Sequence, residues 1–219
     1  MLVNVPRTLP AGLERRPGAL PPWRDLPVAA RRSISLARVR SAFRAPFVAR
    51  DDPFARAAVI APVYEEAGEA VLVLIRRAHT LRQNPGDIAF PGGHVEEGEL
   101  AVEAALRESY EEIGLDPNDV EVIGDFATIE RPRDSWHIAP FIGLVPTPPT
   151  LIAAPSEVDE ILHLPLSAFA AEGVAMTEVW TFEGAPREVH FFRDPAHSGE
   201  LVWGSTGRVI WELLTRVLT

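Results

Sequence analysis

The sequence predicts an α/β or α+β fold in which a mixed β-sheet lies between helices. Two observations indicate this class. Apolar runs of strand length, such as AAVIAPV and AVLVLI, recur along the chain, and residues 99–114 and 205–218 have the apolar spacing of amphipathic helices. The two kinds of segment are interleaved, without an internal repeat. With 219 residues, 47% of them hydrophobic and 24% charged, the chain can fill one core.

An N-terminal extension, residues 1–50, precedes the predicted domain at residues 51–219. The extension is rich in proline and arginine, and RRSISLARVRSAFRA within it predicts a short basic helix. It holds ten arginines against two acids, a balance of +8, so the remaining residues carry −18 to give the net charge of −10. Such an acidic domain argues against nucleic acid as the main ligand. The extension is either an arm that docks on an anionic partner or a helix that packs on the domain.

The residue types that are absent also limit the chemistry. The sequence has no cysteine, which excludes disulfides, thiolate metal sites and a cysteine nucleophile and fits a cytoplasmic protein. Every basic residue is arginine, so a phosphate site must use guanidinium groups or backbone amides. No apolar run approaches the length of a membrane span, so no membrane partner is expected. Monomer and homodimer both stay open.

The predicted strands before the central helix follow from short apolar runs. ARAAVIAPV and EAVLVLIRR predict two strands that are joined by the turn YEEAGE. GDIAFPGG predicts a short strand that ends in a glycine-rich break. The helix at 99–114 ends at Gly114, a residue type that is common just past helix C-termini.

After that helix, VEVIGDFATIE and WHIAPFIGLV predict further strands. LPLSAFAAE predicts a short helix, and REVHFFRD with ELVW predicts a late hairpin. The last helix, at 205–218, is predicted to have Ser205 or Thr206 as its N-cap. Its apolar stripe comprises Val209, Ile210, Leu213, Leu214 and Val217.

The stretch RESYEEIGL gathers negative charge at the end of the central helix. Glu108, Glu111 and Glu112 fall within an arc of about 100° of the helix surface. Glu108 and Glu112 repel as an i,i+4 pair, and the helix dipole disfavours acids in the last turn. A divalent cation such as Mg²⁺, which prefers carboxylate oxygens, would relieve both conflicts. The alternative is a solvated acidic helix end, which is common in acidic proteins.

Residues around the acidic turn support the metal interpretation. Arg107 lies four residues after Glu103 and eight after Glu99, so it can hold carboxylates by charge-assisted hydrogen bonds. Upstream, Gly92 and Gly93 let the backbone approach a ligand closely and leave a carbonyl free for a metal. A plain strand-to-helix turn would use glycine for the same steric reason.

From Gly93 onwards, the spacing of Glu99 and of the run 107–115 closely resembles the Nudix box. In that box, a loop–helix–loop holds metals for cleaving nucleoside diphosphates linked to another group. Every fixed Gly, Glu and Arg of the pattern is present, whereas Ser109 stands at a core-facing position that is usually apolar. The resemblance implies a metal-dependent hydrolase with the Nudix α/β/α sandwich, in which a mixed β-sheet lies between helices.

The segment VLIRRAHTLRQNPGDIAFPGG, Val73 to Gly93, is similar to the extra motif of coenzyme A diphosphatases within the Nudix superfamily. Ile75 departs from that motif, which usually has threonine there. The resemblance extends from Phe54 to the C-terminus and does not cover residues 1–50. It implies cleavage of coenzyme A, or its thioesters, into 3′,5′-ADP and 4′-phosphopantetheine or its acyl form. The matching positions are Arg77, Ala78, Arg82, Gly86, Phe90, Pro91, Gly92 and Gly93.

The resemblance also implies roles for individual residues. The expected ligands of Mg²⁺ or Mn²⁺ are Glu108, Glu111, Glu112 and the Gly93 carbonyl. The expected substrate contacts are Arg77, Arg82, Phe90 and Gly92. The proton of the attacking water is expected to go to Glu111 or to an acid of the loop APSEVDE, first Glu157 and second Glu160. Arg107 supports the catalytic carboxylates.

Other functions stay open at this point. The same chemistry would suit a Nudix enzyme for ADP-ribose, a dinucleotide or a nucleoside triphosphate, and the box does not separate these substrates. A Nudix-fold ligand sensor without turnover is a further alternative, although a pure binding module would not need all three glutamates. Trp136 is either an adenine-stacking residue or part of the core. His137 and the other histidines, His79 among them, have no partner at ligand spacing.

Overall fold

The computed structural model describes residues 2–3, 12–50, 52–131, 136–182, 184–193 and 200–219. Its strands, numbered along the chain, are β1 Glu14–Pro17, β2 Ala55–Glu66, β3 Glu69–Arg77, β4 Ile88–Ala89, β5 Gly92–His94, β6 Glu121–Asp125, β7 Ile129–Arg131, β8 Trp136–Leu144, β9 Val158–Pro165, β10 Ala175–Phe182, β11 Ala185–Arg193 and β12 Leu201–Val202. Its helices are α1 Val28–Arg32, α2 Leu36–Ala42, α3 Ala101–Ile113, α4 Leu166–Phe169 and α5 Gly204–Leu218, with a 3₁₀ turn at Pro117–Asp119. Within these described ranges, no helix is long and apolar enough to cross a membrane.

The chain divides into two compact units. One unit combines residues 1–33 with 167–219, and the other comprises residues 34–166. The two units are defined by which residues pack together in the folded chain, whereas the expected boundary at residue 50 was inferred from a change in sequence composition. The division into an extension at 1–50 and a domain at 51–219 therefore stays a prediction.

A mixed β-sheet forms the centre of the 34–166 unit. Its strand order is β4-β3-β2-β8-β6, and β5, β7 and β9 pair with β2, β8 and β3. Strands β2 and β8 are parallel, whereas β3 is antiparallel to β2, β4 and β9. Every residue of β3 from Ala70 to Arg76 is buried, so both faces of this strand are covered. The predicted α/β class with a mixed sheet is confirmed.

Helix α3 packs on this sheet against β2 and β5. Ala101, Ala104, Ala105 and Ile113 are buried on the side that faces the strands. Ser109 is also fully buried, and its hydroxyl group donates to the Ala105 carbonyl oxygen at 2.7 Å. This internal bond satisfies the polar atom, so a serine is tolerated at a core-facing position.

Both ends of α3 have defined caps. At the N-terminus, Glu103 accepts a hydrogen bond from the Leu100 N–H at 3.0 Å, so its carboxylate is used for capping. At the C-terminus, Gly114 has a φ of 70° and donates its N–H to the Tyr110 carbonyl oxygen at 2.8 Å. The predicted helix and its terminal glycine are thus confirmed.

The predicted basic helix of residues 31–45 is split into two short helices, α1 and α2. Ser35 interrupts the segment, because its side chain caps α2 by accepting the Arg38 N–H at 3.3 Å. Ile34 and Val39 are fully buried in the 34–166 unit. The Ala70 N–H also donates to the Ile34 carbonyl oxygen at 2.6 Å. Packing on the domain, one of the two expected alternatives, therefore describes α2.

The other unit carries an antiparallel sheet of order β1-β10-β11-β12, with α5 packed on β11. The predicted hairpin is present as β11 and β12, and the predicted apolar stripe of α5 is buried. The predicted N-cap is wrong: α5 begins at Gly204, so Ser205 and Thr206 lie inside its first turn. Strands β9 and β10 were not predicted, since the adjacent acids Asp159 and Glu160 interrupt the alternation of β9 and Glu178 interrupts that of β10.

Candidate active site

Arg107 is the centre of a hydrogen-bond network that joins the loop before α3 to the helix. Its guanidinium group donates to both carboxylate oxygens of Glu99, at 2.9 and 3.1 Å, and to the His94 carbonyl oxygen at 2.9 Å. It also donates to Glu108 at 3.1 Å and to Glu111 at 3.2 Å. The bond from Arg107 holds the pKa of Glu99 below its ordinary value, so Glu99 stays ionised.

The glycine turn, Gly92 and Gly93, lies directly against α3. At Gly93, a Cβ atom would collide with the carboxylate group of Glu108. At Gly92, φ is 142°, and a Cβ atom would collide with the backbone of Ala58 and Val59. The two glycines are therefore needed for different reasons: Gly92 fits the sheet, and Gly93 leaves room for the glutamate.

Glu112 is the buried member of the acidic set, with 2% of its surface exposed. Burial raises the pKa of Glu112 to about 7, although the Gly92 N–H, which donates to its carboxylate at 2.9 Å, lowers it. Arg77, whose guanidinium nitrogen is 3.9 Å from the Glu112 oxygen, also lowers this pKa. The negative charges of Glu108 and Glu157 raise it further. The Glu112 carboxyl group is therefore within electrostatic range of both acids.

The loop that carries Glu157 is tied to the C-terminus of α3. The Ile152 N–H donates to the Ile113 carbonyl oxygen at 2.9 Å, and the Ala154 N–H donates to the Glu112 carbonyl oxygen at 2.8 Å. Glu157 then closes a turn by donating its N–H to the Ala154 carbonyl oxygen at 3.0 Å. Carbonyls at a helix end have no partner within the helix, so the loop satisfies them and brings Glu157 to the acidic set.

A hard divalent cation fits the chemistry of this region, because its donors are carboxylate and carbonyl oxygens. Across the residues that the structure describes, no three carboxylate or imidazole groups lie close enough together to hold an ion. Glu108 and Glu111 are instead bonded to Arg107, and Glu112 is bonded to the glycine turn. Burial is the main cause of the raised pKa of Glu112, and a cation among these acids would relieve the smaller contribution from the charges of Glu108 and Glu157. The assignment of the metal ligands stays a prediction.

The expected substrate residues lie at different depths. Arg77 is partly buried, and its Nε atom is buried without a hydrogen-bond partner among the described residues. Arg82 is exposed on the loop between β3 and β4. Phe90 has only 3% of its surface exposed, so it contributes chiefly to the core. The roles of all three in substrate binding stay predictions.

Two contacts near the site were not expected from the sequence. His79 donates its backbone N–H to Asp159 at 3.0 Å, and its ring Nδ1 bonds to the same carboxylate oxygen. The bonds from His79 hold the pKa of Asp159 below its ordinary value. The Arg76 Nε atom is 3.1 Å from a carboxylate oxygen of Glu160. Glu160, which was the second choice for the proton acceptor, is therefore engaged in an ion pair. The partners are about 80 residues apart along the chain, so spacing within one segment carries no sign of them.

The side chain of Trp136, expected either to stack on adenine or to belong to the core, lies outside the described part of the structure, as do residues 132–135. His137 has its ring Nδ1 3.7 Å from the Asp52 carboxylate and its ring centroid 5.5 Å from that of Phe54. These contacts give His137 a local structural role.

The comparison with known proteins agrees with this geometry. The family model of the NUDIX domain matches residues 53–190, more than half of the chain. NudL of Photorhabdus laumondii, an uncharacterized Nudix hydrolase, is 32% identical over 163 residues, which cover 74% of this chain and 84% of the relative. Nudix hydrolase 3 of Caenorhabditis elegans is 27% identical over 182 residues, which cover 77% of this chain and 75% of the relative.

A solved structure shows the same fold. The MutT/nudix family protein from Enterococcus faecalis matches 84% of this chain and 69% of its own, with a TM-score of 0.50 and 19% identity. At that identity the likeness concerns the fold alone, and it agrees with the α/β/α sandwich implied by the sequence. The chain therefore belongs to the NUDIX domain family and is a Nudix hydrolase, an enzyme that acts on diphosphate bonds.

Proposed function

We propose that this Nudix hydrolase cleaves the diphosphate bond of coenzyme A or an acyl-coenzyme A. The products are 3′,5′-ADP and 4′-phosphopantetheine or its acyl form. The observation that carries the proposal is the network around Arg107, which binds Glu99, Glu108 and Glu111 while Glu108 lies against Gly93. The motif from Val73 to Gly93 supports coenzyme A as the substrate, because it resembles the coenzyme A diphosphatases at eight positions.

Glu108, Glu111, Glu112 and the Gly93 carbonyl would hold Mg²⁺ or Mn²⁺. The cation, when bound, supplies neutralisation of the diphosphate charge and a more acidic water molecule. Arg107 donates one hydrogen bond to each of Glu108 and Glu111, and Glu108 lies against Gly93, so the arginine supports the orientation of both carboxylates.

Glu157 is the proposed acceptor of the proton from the attacking water. Its side chain is exposed, and its backbone is fixed by the turn that begins at Ala154. Its charge contributes to the raised pKa of Glu112, which supports the proposal that the two carboxyl groups lie near each other. Glu111, with 55% of its side chain exposed, is the alternative acceptor.

The arginines of the β3–β4 region are the proposed contacts of the substrate phosphates. The buried Nε of Arg77 has no partner in the described part of the chain, and an anionic oxygen that accepted it would remove the cost of an unsatisfied donor. Arg82 is the proposed contact for the 3′-phosphate of coenzyme A, which a guanidinium group can bind with two hydrogen bonds.

A substrate panel with Mg²⁺ tests the function. The panel contains coenzyme A, acetyl-coenzyme A, ADP-ribose, NADH and a deoxynucleoside triphosphate, and the products are identified. We expect the highest kcat/KM for coenzyme A or its thioester. Faster cleavage of ADP-ribose, NADH or the triphosphate would replace coenzyme A by that substrate, and no cleavage of any compound would indicate a ligand sensor.

Two variants separate chemistry from recognition in this panel. Glu111→Gln removes a proposed metal ligand, so we expect a loss of turnover with all substrates while the protein stays folded. Arg82→Ala should raise KM for coenzyme A more than for dephospho-coenzyme A, because only coenzyme A carries the 3′-phosphate. Equal effects on the two substrates would reject the proposed contact of Arg82.

A further inference from the structure

The loop between β3 and β4, residues 78–87, carries Arg82 at an exposed position. The two ends of the loop are fixed by the backbone: the Gly86 N–H donates to the Arg77 carbonyl oxygen at 3.0 Å, and the Ala78 N–H donates to the Glu157 carbonyl oxygen at 2.8 Å. The middle of the loop is exposed, and Asn84 within it has a φ of 52°. The position of Arg82 therefore depends on how firmly the loop as a whole is held.

His79 joins this loop to the start of β9 by side-chain contacts. Its backbone N–H donates to an Asp159 carboxylate oxygen at 3.0 Å, and its ring Nδ1 bonds to the same oxygen. Together with the bond from Ala78 to Glu157, this makes two neighbouring points of attachment between the loop and the chain at 157–159. Asp159 comes two residues after Glu157, so the attachment lies beside the proposed proton acceptor.

The other edge of the His79 ring lies against the returning end of the loop. A Cβ atom at Gly86 would be 2.8 Å from the ring Nε2, and Gly86 has a φ of 71°. The imidazole ring thus lies between Asp159 on one side and the Gly86 backbone on the other, with 72% of the His79 side chain exposed to solvent. A histidine in this place can therefore contact Asp159 and the returning end of the loop at once.

We propose that His79 and Asp159 are positioning residues, which hold the loop 78–87 against the start of β9 and thereby fix Arg82 for binding the substrate. The proposal rests on the proposed function, because it concerns the same substrate contact. The segment around Glu157 has its own attachments to α3 through Ala154. Loss of the His79–Asp159 contact therefore frees the loop more than it moves Glu157. It should affect substrate binding and leave the chemical step largely unchanged.

The variants His79→Ala and Asp159→Ala test the proposal by steady-state kinetics with coenzyme A and Mg²⁺. Each should raise KM by about twofold to fivefold and leave kcat within about twofold, since an exposed pair is a weak interaction that acts here through position. The double variant should raise KM no further than the stronger single variant, because the two residues act as one contact. A wild-type KM in both single variants, or an effect confined to kcat, would overturn the proposal.

Conservative replacements sharpen the test. In His79→Asn, the amide nitrogen occupies nearly the place of Nδ1 and can still donate to Asp159, so KM should return towards the wild-type value. In His79→Gln, the amide lies one bond further out, so KM should stay raised. Equal behaviour of the two variants would contradict the hydrogen-bond geometry. His137→Ala is the matched control, because its ring is 3.7 Å from Asp52 and outside the loop, and it should keep the wild-type KM.

Amide hydrogen exchange distinguishes failure of the proposal from failure of the proposed function. Exchange of the hydrogen-bonded amides of Leu81 and Gly86 should become about twofold to fivefold faster in His79→Ala than in the wild-type chain, and this measurement needs no substrate. If the wild-type chain does not cleave coenzyme A, the proposed function fails, and the exchange rates still decide whether His79 holds the loop. Unchanged exchange in the loop would overturn the positioning role whatever the substrate is.

Discussion

At the scale of single residues, the glycine turn separates the requirements of the fold from those of the site. Gly92 has a φ of 142°, and its space for a side chain is taken by the backbone of Ala58 and Val59. At Gly93, the three atoms nearest to an added Cβ all belong to the carboxylate group of Glu108, the end of a flexible side chain. A methyl group at position 92 must therefore move a strand, whereas one at position 93 must move a functional group.

Alanine substitutions at these two glycines should affect different properties, stability at Gly92 and catalysis at Gly93. Gly92→Ala should destabilise the protein by at least about 3 kcal/mol, which lowers Tm by roughly 6 °C or more. Gly93→Ala should lower kcat at least about tenfold by displacing Glu108, while Tm changes by no more than about 3 °C. Thermal unfolding and steady-state kinetics on both variants check this. A Gly93→Ala enzyme with normal kcat would show that the place of Glu108 is not critical.

His190 should make the stability of the protein sensitive to acid. Burial lowers its pKa from 6.5 to about 4, with a further contribution from the charge of Arg208. Its ring stacks on Trp211 with centroids 4.1 Å apart, and its Nδ1 is 3.1 Å from the Thr177 hydroxyl oxygen. Between pH 6.5 and 4 the unfolded chain binds the proton more readily than the folded one. The free energy of unfolding should therefore fall as the pH falls through this range, by up to about 3 kcal/mol.

The variant His190→Gln tests this contribution, because it cannot titrate. Urea unfolding at several pH values between 7 and 4 should give a shallower fall in the free energy of unfolding than in the wild-type chain. The slope is the informative quantity, since the substitution itself can change stability at every pH. Equal slopes in the two proteins would show that His190 does not cause the acid sensitivity.

At the scale of elements, a buried carboxylate joins the N-terminal residues and β1 to β10. Glu178 in β10 is 1% exposed and accepts hydrogen bonds from Arg15 at 2.8 and 2.9 Å and from the Trp180 indole N–H at 2.7 Å. The Val3 N–H donates to the same carboxylate. The strands themselves pair through Glu14–Pro17 and Glu178–Thr181. The charged carboxylate of Glu178 is thus buried together with its hydrogen-bond partners. Removal of one partner would leave a buried charge uncompensated, which destabilises the folded protein.

Glu178→Gln should lower the free energy of unfolding by about 2–4 kcal/mol, because Arg15 would stay charged without its ionised partner. The matched control is Glu121→Gln, which removes a second paired contact between arginine and glutamate. In the Arg40–Glu121 pair the side chains are 53% and 56% exposed, against 16% and 1% for Arg15–Glu178. The control should therefore cost less than about 1 kcal/mol. Urea unfolding compares the two, and equal costs would mean that burial does not determine the strength of the pairs.

At the scale of the whole molecule, the N-terminal residues belong to both compact units. Trp23 is 1% exposed in the unit formed with residues 167–219, and its ring centroid is 4.9 Å from that of Trp211. Ile34 and Val39 are fully buried in the other unit. The extension expected at residues 1–50 thus contains core residues of each unit.

Deletion of residues 1–45 should lower Tm by more than about 10 °C, since it removes the buried side chains of Trp23, Ile34 and Val39 and exposes their neighbours. Thermal unfolding checks this result, and an unchanged Tm would contradict it.

Docking of the basic residues 1–50 on an anionic partner needs a test that leaves the buried side chains in place. Replacement of the exposed Arg32 and Arg50 by glutamine should preserve Tm, and a change in assembly or activity in that variant would support docking.

The sequence alone determined the parts of the site that lie within one short segment. Gly92, Gly93, Glu99 and the acids up to Glu112 are separated by no more than 20 positions, and a helix of 3.6 residues per turn fixes which of them share a face. The spacing therefore predicted a contact between Arg107 and Glu99, which the structure contains. Apolar runs likewise predicted β2, β3 and β8, and the helical spacing of apolar residues predicted the buried stripe of α5.

Only the tertiary structure decided which distant residues join that segment. Glu157 approaches Glu112 because the loop at 152–154 satisfies the carbonyls at the end of α3, and Asp159 meets His79 because β9 pairs with β3 in one register. Such pairings depend on the three-dimensional course of the backbone, which a local pattern in one sequence does not contain. Glu103 lies four residues before Arg107, so the spacing also allowed a contact between these two residues. In the structure the Glu103 carboxylate instead caps α3, which the local pattern did not reveal.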